Sequence, residues 1–126
     1  MHENEISGII LDCAIEVHRT LGGPGLLEAV YEEALVWELK HRGLKFERQK
    51  AIPVVYKDCV LPYTYRLDIL VEDKVIIECK ATSQYNKIFE SQLLTYLRLT
   101  GLKLGIVINF GEKMLATGFN RVANNL

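Results

Sequence analysis

The segment that decides the fold of this chain is YRLDILV (residues 65–71), the short link EDK (72–74) and VIIECK (75–80). Both runs are dominated by Ile, Leu and Val, the composition of strands that fill a core. Charged side chains interrupt them at Asp68, Glu78 and Lys80. Because the link is too short for a crossover connection, the two runs are predicted to form an antiparallel β-hairpin.

The length of the link decides which residues of this hairpin face each other. If Val71 and Val75 close a three-residue loop, Asp68 lies opposite Glu78. A two-residue loop would instead send the two carboxylates to different faces of the sheet. Asp73 tolerates the left-handed conformation that a three-residue loop usually needs. Side chains two apart on a strand share a face, so we favour the register that brings Asp68, Glu78 and Lys80 together.

The rest of the chain surrounds this hairpin with alternating periodicities. Apolar spacing predicts helices at residues 4–19, 26–41 and 89–100, the last ending at Gly101. Strands are predicted at 45–56, with Pro53 at an edge or bulge, at 63–71, 75–81 and 104–110, and in a short piece of 114–122. The order α-α-β-β-β-α-β predicts an α/β (α+β) fold, a mixed central sheet flanked by helices.

The composition excludes several classes of protein. The chain has 126 residues, 49% of them hydrophobic, and we expect one domain over residues 1–126. Because 15 Lys and Arg balance 16 Asp and Glu, binding of nucleic acid by bulk charge is not expected. No apolar run approaches the ~20 residues of a membrane span. Three cysteines without a CxxC pair, and an acidic N-terminus, indicate a cytoplasmic protein.

Two carboxylates and an ammonium on one half-apolar face indicate a specific chemistry. Hard oxygen ligands at the spacing of Asp68 and Glu78 suit Mg²⁺ or Mn²⁺, which keeps water molecules in its open positions. Such an ion activates water and offsets charge on a scissile phosphate, and Lys80 is placed to orient or deprotonate that water. The alternative is that Asp68 and Glu78 cap strand ends, or pair with Lys80 and Arg66.

These residues resemble a known family. The pattern Asp68…Glu78-Cys79-Lys80 resembles the D…(D/E)xK signature of the PD-(D/E)XK nuclease superfamily, and the order of elements is similar to its restriction-endonuclease-like core. GLLEAVY (25–31) resembles the GxxExxY motif of small proteins grouped with that superfamily. QLLTY (92–96) is similar to the QxxxY element of RecB-type nucleases. The likeness extends from about residue 6 to 122.

The resemblance implies a role for each matching residue. It implies that Asp68 and Glu78 are metal ligands, that Lys80 is the catalytic lysine, and that Glu28 completes or flanks the metal site. Gln92 and Tyr96, four apart on one helix face, would position the lysine, a water molecule or the phosphate. Taken alone, Glu28 is more often a solvated charge of an acidic helix, and by spacing alone Gln92 and Tyr96 would be a polar–aromatic pair that packs the helix on the sheet.

A second cluster is basic. Arg42, Lys45, Arg48 and Lys50 lie close together in the sequence, with Glu47 as the one acid among them. They are either a phosphate-tracking patch beside the site or an ordinary solvated helix end and edge strand.

Two functions follow from these observations. The first is a Mg²⁺- or Mn²⁺-dependent nuclease that hydrolyses the phosphodiester bonds of DNA. The alternative is a catalytically silent module that binds nucleic acid or protein on the same fold. A homodimer would place two sites on opposite strands, with the edge near Pro53 or the apolar tail at 114–126 as its interface. No membrane partner is expected.

Overall fold

A five-stranded mixed sheet carries helices on both faces in the computed structural model, which describes residues 1–126. The elements are α1 Glu3–Leu21, α2 Glu28–His41, β1 Phe46–Tyr56, β2 Cys59–Val71, β3 Val75–Lys80, α3 Ile88–Thr100, β4 Leu104–Asn109, a 3₁₀ turn Leu115–Gly118, and β5 Phe119–Ala123. The predicted fold class and the predicted order of the first seven elements are confirmed.

The strands lie side by side in chain order, β1-β2-β3-β4-β5. Only β3 and β4 are parallel, because α3 crosses over between them and returns the chain to the same end of the sheet. Val71 pairs with Val75 and Ile69 with Ile77, which is the register that the three-residue loop predicts. Asp73 takes the expected left-handed conformation with φ of 55°, and Glu72 does so as well.

Two apolar clusters, one on each face of the sheet, hold these layers together. The larger contains 20 buried residues and packs α1 and α2 onto the sheet, whereas the smaller contains seven and packs α3 onto the other face. All six residues of β4 are buried, as its continuous apolar run predicts. Gly105 lets α3 approach closely, since a Cβ there would lie 2.7 Å from the Leu93 side chain.

The structure differs from the predictions mainly at the ends of elements. Helix α2 begins at Glu28, because the segment after the Gly23–Pro24 bond is still irregular. Strand β2 begins four residues earlier than predicted, because β1 continues to Tyr56 and supplies it with partners. The register of that pairing shifts between Pro53 and Val55, as a proline in an edge strand suggests. No helix has the length and apolar character needed to cross a membrane.

Candidate active site

The site lies where strands β2 and β3 stop pairing through their backbones. Beyond Ile69 and Ile77 the ladder ends, and two carboxylates replace it. The backbone N–H of Asp68 donates to Glu78 Oε2 at 3.0 Å, and the N–H of Cys79 donates to Asp68 Oδ2 at 2.8 Å. Each acid is therefore held by the opposite strand, and the two side chains lie against each other as the register predicts.

The regular alternation of β2 side chains between the two faces of the sheet is also interrupted at Asp68. Leu67 packs in the cluster beneath α3, whereas Ile69, two residues later, packs in the cluster beneath α1 and α2. Residues two apart normally share a face, so β2 changes face at Asp68. The neighbouring residue on β1, Gln49, has a φ of 51° and is missing from the β1–β2 ladder. This double irregularity places Asp68 at an opening of the sheet.

The opening forms a cavity of about 180 Å³ that unites the predicted site residues. Its lining consists of Glu28, Arg66, Asp68, Glu78, Lys80, Phe89, Gln92 and Tyr96. Helix α2 contributes the first of these from one side of the sheet, and α3 contributes the last three from the other. A larger groove of about 780 Å³ between α2 and β1 is mainly apolar and contains only Arg48 of the predicted residues.

Two lining residues were not predicted, although the sequence contains a signal for each. Arg66 lies two residues before Asp68, the spacing of side chains that share a strand face. Phe89 lies three residues before Gln92, the spacing of side chains that share a helix face. The Lys80 ammonium sits over the Phe89 ring, 4.5 Å from its centroid. Lys80 forms no ion pair with any carboxylate.

The pKa values of three residues that line the cavity are raised. Burial, followed by the negative charge of Asp68, raises the pKa of Glu78 to about 9. Burial also raises the pKa of Glu28, and the nearby Lys80 partly offsets this effect. The pKa of Tyr96 is raised by burial and then by the charge of Glu78. The positive charge near these two adjacent, partly buried carboxylates is therefore too small to keep both of them ionised at neutral pH.

The profile of the PD-(D/E)XK nuclease superfamily matches residues 4–122. The chain belongs to this superfamily. Neither a curated protein nor a solved structure matches the chain. The resemblance to the narrower GxxExxY group stays a prediction. Within GLLEAVY, however, Tyr31 is fully buried, and its hydroxyl donates to the Gly22 carbonyl at 2.8 Å. That bond anchors the irregular segment leading to Glu28.

Nucleases of this superfamily generally use divalent metal ions, and the acid pair fits one. Asp68 Oδ1 and Glu78 Oε1 accept no hydrogen bond from the protein, so each carboxylate has a free, hard oxygen. A cation would also supply the missing positive charge. No group of three or more His, Cys, Asp or Glu side chains is arranged to hold an ion by itself. Mg²⁺ usually retains several waters and needs only one or two carboxylates, so the role of Glu28 as a further ligand stays a prediction.

Helix α2 is joined to the irregular part of β1 by a second polar network. Arg48 donates to Glu32 and to Glu33, both at 2.7 Å, and the Gln49 amide donates to Glu32 at 3.2 Å. Glu32 is only 7% exposed and lies one helical turn after Glu28. This network therefore holds both the backbone beside Asp68 and the start of α2.

Two residues of the basic cluster, Arg48 and Lys50, pair with acids and face opposite sides of the sheet. Arg48 is neutralised by two glutamates of α2, and Lys50 pairs with Glu47 at 3.0 Å. Lys50 also lines a pocket beneath the end of α3, on the opposite face of the sheet from the Arg48 contacts. Arg42 ends α2, and Lys45 begins the next extended segment. The structure thus separates Arg48 from Lys50, and phosphate tracking by the cluster stays a prediction. Arg66 is the arginine that it places at the cavity.

Proposed function

We propose that residues 1–126 form a single nuclease domain that hydrolyses the phosphodiester bonds of DNA with the aid of Mg²⁺ or Mn²⁺. One observation carries this proposal: Asp68, Glu78 and Lys80 line one small cavity, and the lysine is not consumed by an ion pair. A purely structural role for these charges would favour a direct pair between the lysine and an acid.

Each residue of the cavity has a task in this proposal. Asp68 and Glu78 would hold the ion, which lowers the pKa of a bound water and offsets charge on the phosphate. Lys80 would orient the attacking water through its ammonium or, as the neutral amine, accept a proton from it. Arg66 offers a planar donor group to phosphate oxygens, and Gln92 and Tyr96 offer neutral donors from α3.

DNA is the proposed substrate, and the chemistry is open to it because attack by an activated water needs no 2′-hydroxyl, the group that distinguishes RNA. The superfamily itself implies a nucleic acid. A homodimer that acts on both strands of a duplex is a further proposal, and sedimentation at several protein concentrations tests it.

A second candidate function is a catalytically silent binding module. It is favoured by the two carboxylate–amide bonds, because Asp68 and Glu78 already satisfy backbone groups of the opened sheet without a metal ion. In that case the acids would be structural, and replacing them would destabilise the fold rather than abolish metal binding.

Calorimetric titration of Mn²⁺ and Mg²⁺, followed by plasmid nicking with the same samples, separates the two functions. The proteins are the parent, Glu78→Ala and Glu78→Gln. The matched control is Asp73→Asn, which removes an exposed acid from the turn of the same hairpin and tolerates its positive φ.

The nuclease proposal expects metal binding and nicking by the parent and the control, and neither by the Glu78 variants. Their melting temperatures in metal-free buffer should stay close to that of the parent. Absence of metal binding by the parent, or a large fall in the melting temperature of Glu78→Gln, would favour the binding module instead.

A further inference from the structure

The β1–β2 hairpin extends well beyond the third strand. Strand β3 pairs with β2 only from Ile69 to Val71, whereas β1 and β2 continue to pair from Ala51 and Arg66 outwards to Tyr56 and Cys59. We call residues 51–66 the arm. Because no strand pairs with the outer edge of β2 in the arm, its backbone groups on that side are free. The arm also carries five exposed large apolar or aromatic side chains: Val55, Tyr56, Val60, Tyr63 and Tyr65.

Two of these side chains lead from the arm to the active site. The ring of Tyr65 lies 5.5 Å from the ring of Tyr96, at a tilt of 40°. Tyr96 in turn lines the cavity that contains Asp68 and Glu78. Tyr63 lies two residues from Tyr65, the spacing of side chains that share a strand face, beside the register shift of the β1–β2 ladder, and it is 70% exposed. The next residue along β2, Arg66, reaches the cavity itself.

We propose that Tyr63 and Tyr65 form a stacking platform for unpaired bases of single-stranded DNA whose backbone enters the cavity. This inference rests on the proposed function and deepens it by naming the form of the substrate. Aromatic faces bind successive bases of a single strand without regard to sequence, because every base has a π-face. A duplex buries those faces in its own stack and cannot offer them to the arm.

The size and charge of the site agree with this occupant. A cavity of about 180 Å³ has room for a phosphate group and a few waters but not for a base pair, so the bases must lie outside it. Tyr65 is the exposed aromatic residue beside its wall. Arg66 at the cavity supplies positive charge for the phosphate backbone at the inner end of the tyrosine pair.

Binding can be measured without cleavage, which separates this inference from the proposed function. The assay is fluorescence anisotropy of a labelled oligo-dT of about 12 nucleotides, in metal-free buffer, with an unlabelled duplex of the same length as competitor. The proteins are the parent, Tyr63→Ala, Tyr63→Phe, Tyr65→Ala and Tyr65→Phe. Tyr56→Ala is the matched control, since it removes an equally exposed tyrosine from the opposite strand at the tip of the arm.

The proposal expects the single strand to bind more tightly than the duplex. Loss of one stacked base should weaken binding about fivefold or more in Tyr63→Ala and in Tyr65→Ala. The phenylalanine variants should bind like the parent, because the aromatic face is kept. Tyr56→Ala should also bind like the parent. Melting temperatures check folding, and Tyr63→Ala should keep the parental value because its side chain is mostly exposed.

Three results would overturn the platform. The duplex could compete as well as the single strand, Tyr63→Ala and Tyr65→Ala could both bind like the parent, or Tyr56→Ala could lose as much affinity as they do. Dimerisation of the parent that is lost in Tyr63→Ala, measured by sedimentation, would assign this face to a second copy of the chain and would also refute the proposal. Nicking that persists while single-strand binding fails would contradict this inference alone.

Discussion

The β2–β3 hairpin has two ends that are built in opposite ways. At the turn, Val71 pairs with Val75, and the flanking side chains are buried in the apolar clusters. At the open end, only two pairs further along the ladder, the backbone pairing stops and Asp68 and Glu78 bridge the strands through their carboxylates. The same two strands therefore form a regularly paired, apolar end at the turn and a polar opening at the other end.

The contrast shows how a small domain can hold two like charges together. The apolar end aligns the strands and contributes the burial that stabilises them. The polar end uses that alignment to oppose two acids, and burial, followed by their mutual repulsion, raises the pKa of Glu78. Substitutions at the closed end should therefore cost stability, whereas substitutions at the open end should cost chemistry.

Lys80 in β3 and Lys74 in the β2–β3 turn give the strongest test of the difference between the two ends of the hairpin. Lys80→Met at the open end should lower the rate of DNA cleavage by about 10²–10⁴-fold, the usual contribution of a general acid or base. Metal binding should persist, because the carboxylates remain. Lys74→Met at the turn, where the ammonium donates to the Met1 carbonyl, should leave cleavage unchanged. Equal rates for the two variants, measured under single-turnover conditions, would refute the assignment of Lys80.

The adjacent residues Ile77 and Glu78 test the same division by stability. Ile77 is fully buried in the larger cluster, so Ile77→Ala should lower the free energy of unfolding by about 2–5 kcal/mol. Glu78→Gln keeps an oxygen that can accept the Asp68 N–H, and its neutral side chain matches the protonated form that burial favours. Urea unfolding should therefore show little loss for this variant. A loss as large as that of Ile77→Ala would make Glu78 a structural residue.

Glu32 and Glu33 form a matched pair on α2, because both accept from the guanidinium of Arg48. The Glu32 side chain is 9% exposed and the Glu33 side chain 70%. Glu32→Gln should cost about 1.5–3 kcal/mol, the value of a hydrogen bond to a charged group. Glu33→Gln should stay within about 0.5 kcal/mol, as exposed ion pairs usually do. Thermal unfolding of both variants gives the comparison, and similar losses would contradict the burial argument.

A further test of the open end is the dependence of stability on pH in metal-free buffer. Folding raises the pKa of Glu78 from its ordinary value of 4.5 to about 9, so the folded protein keeps a proton that the unfolded chain has lost. Within that interval the free energy of unfolding should fall as the pH rises, and it should level off above the folded pKa. Glu78→Gln should show a weaker decline. Identical melting curves against pH for the two proteins would contradict the raised pKa.

Local chemistry made much of this architecture predictable from the sequence. Loop length and the tolerance of Asp73 for positive φ set the register of the hairpin, and that register opposes Asp68 and Glu78. Helical spacing then placed Gln92 and Tyr96 on one side of α3, where both line the cavity. These features depend on contacts between residues that are near in sequence or that share one strong period.

Other features depend on contacts that leave no local mark. The face change at Asp68 requires the positive φ of Gln49, and a glutamine in a strand gives no signal of that conformation. The ion pairs of Arg48 with α2 join elements that no periodicity relates, so nothing in the sequence indicated that this member of the basic cluster is paired with glutamates. Strand β2 is longer than its apolar alternation suggests, because β1 rather than a core supplies its partner in the arm.

The hydrogen bonds at the open end of the hairpin also make two backbone protons into internal reporters. The amide protons of Asp68 and Cys79 each point at an oxygen of a carboxylate that is proposed to bind an ion. An ion that draws electron density from those oxygens would weaken both bonds, and the nuclear magnetic resonances of the two protons would move together. Occupancy of the site should therefore be visible in a spectrum of the ¹⁵N-labelled protein, before any substrate is added and without a substitution.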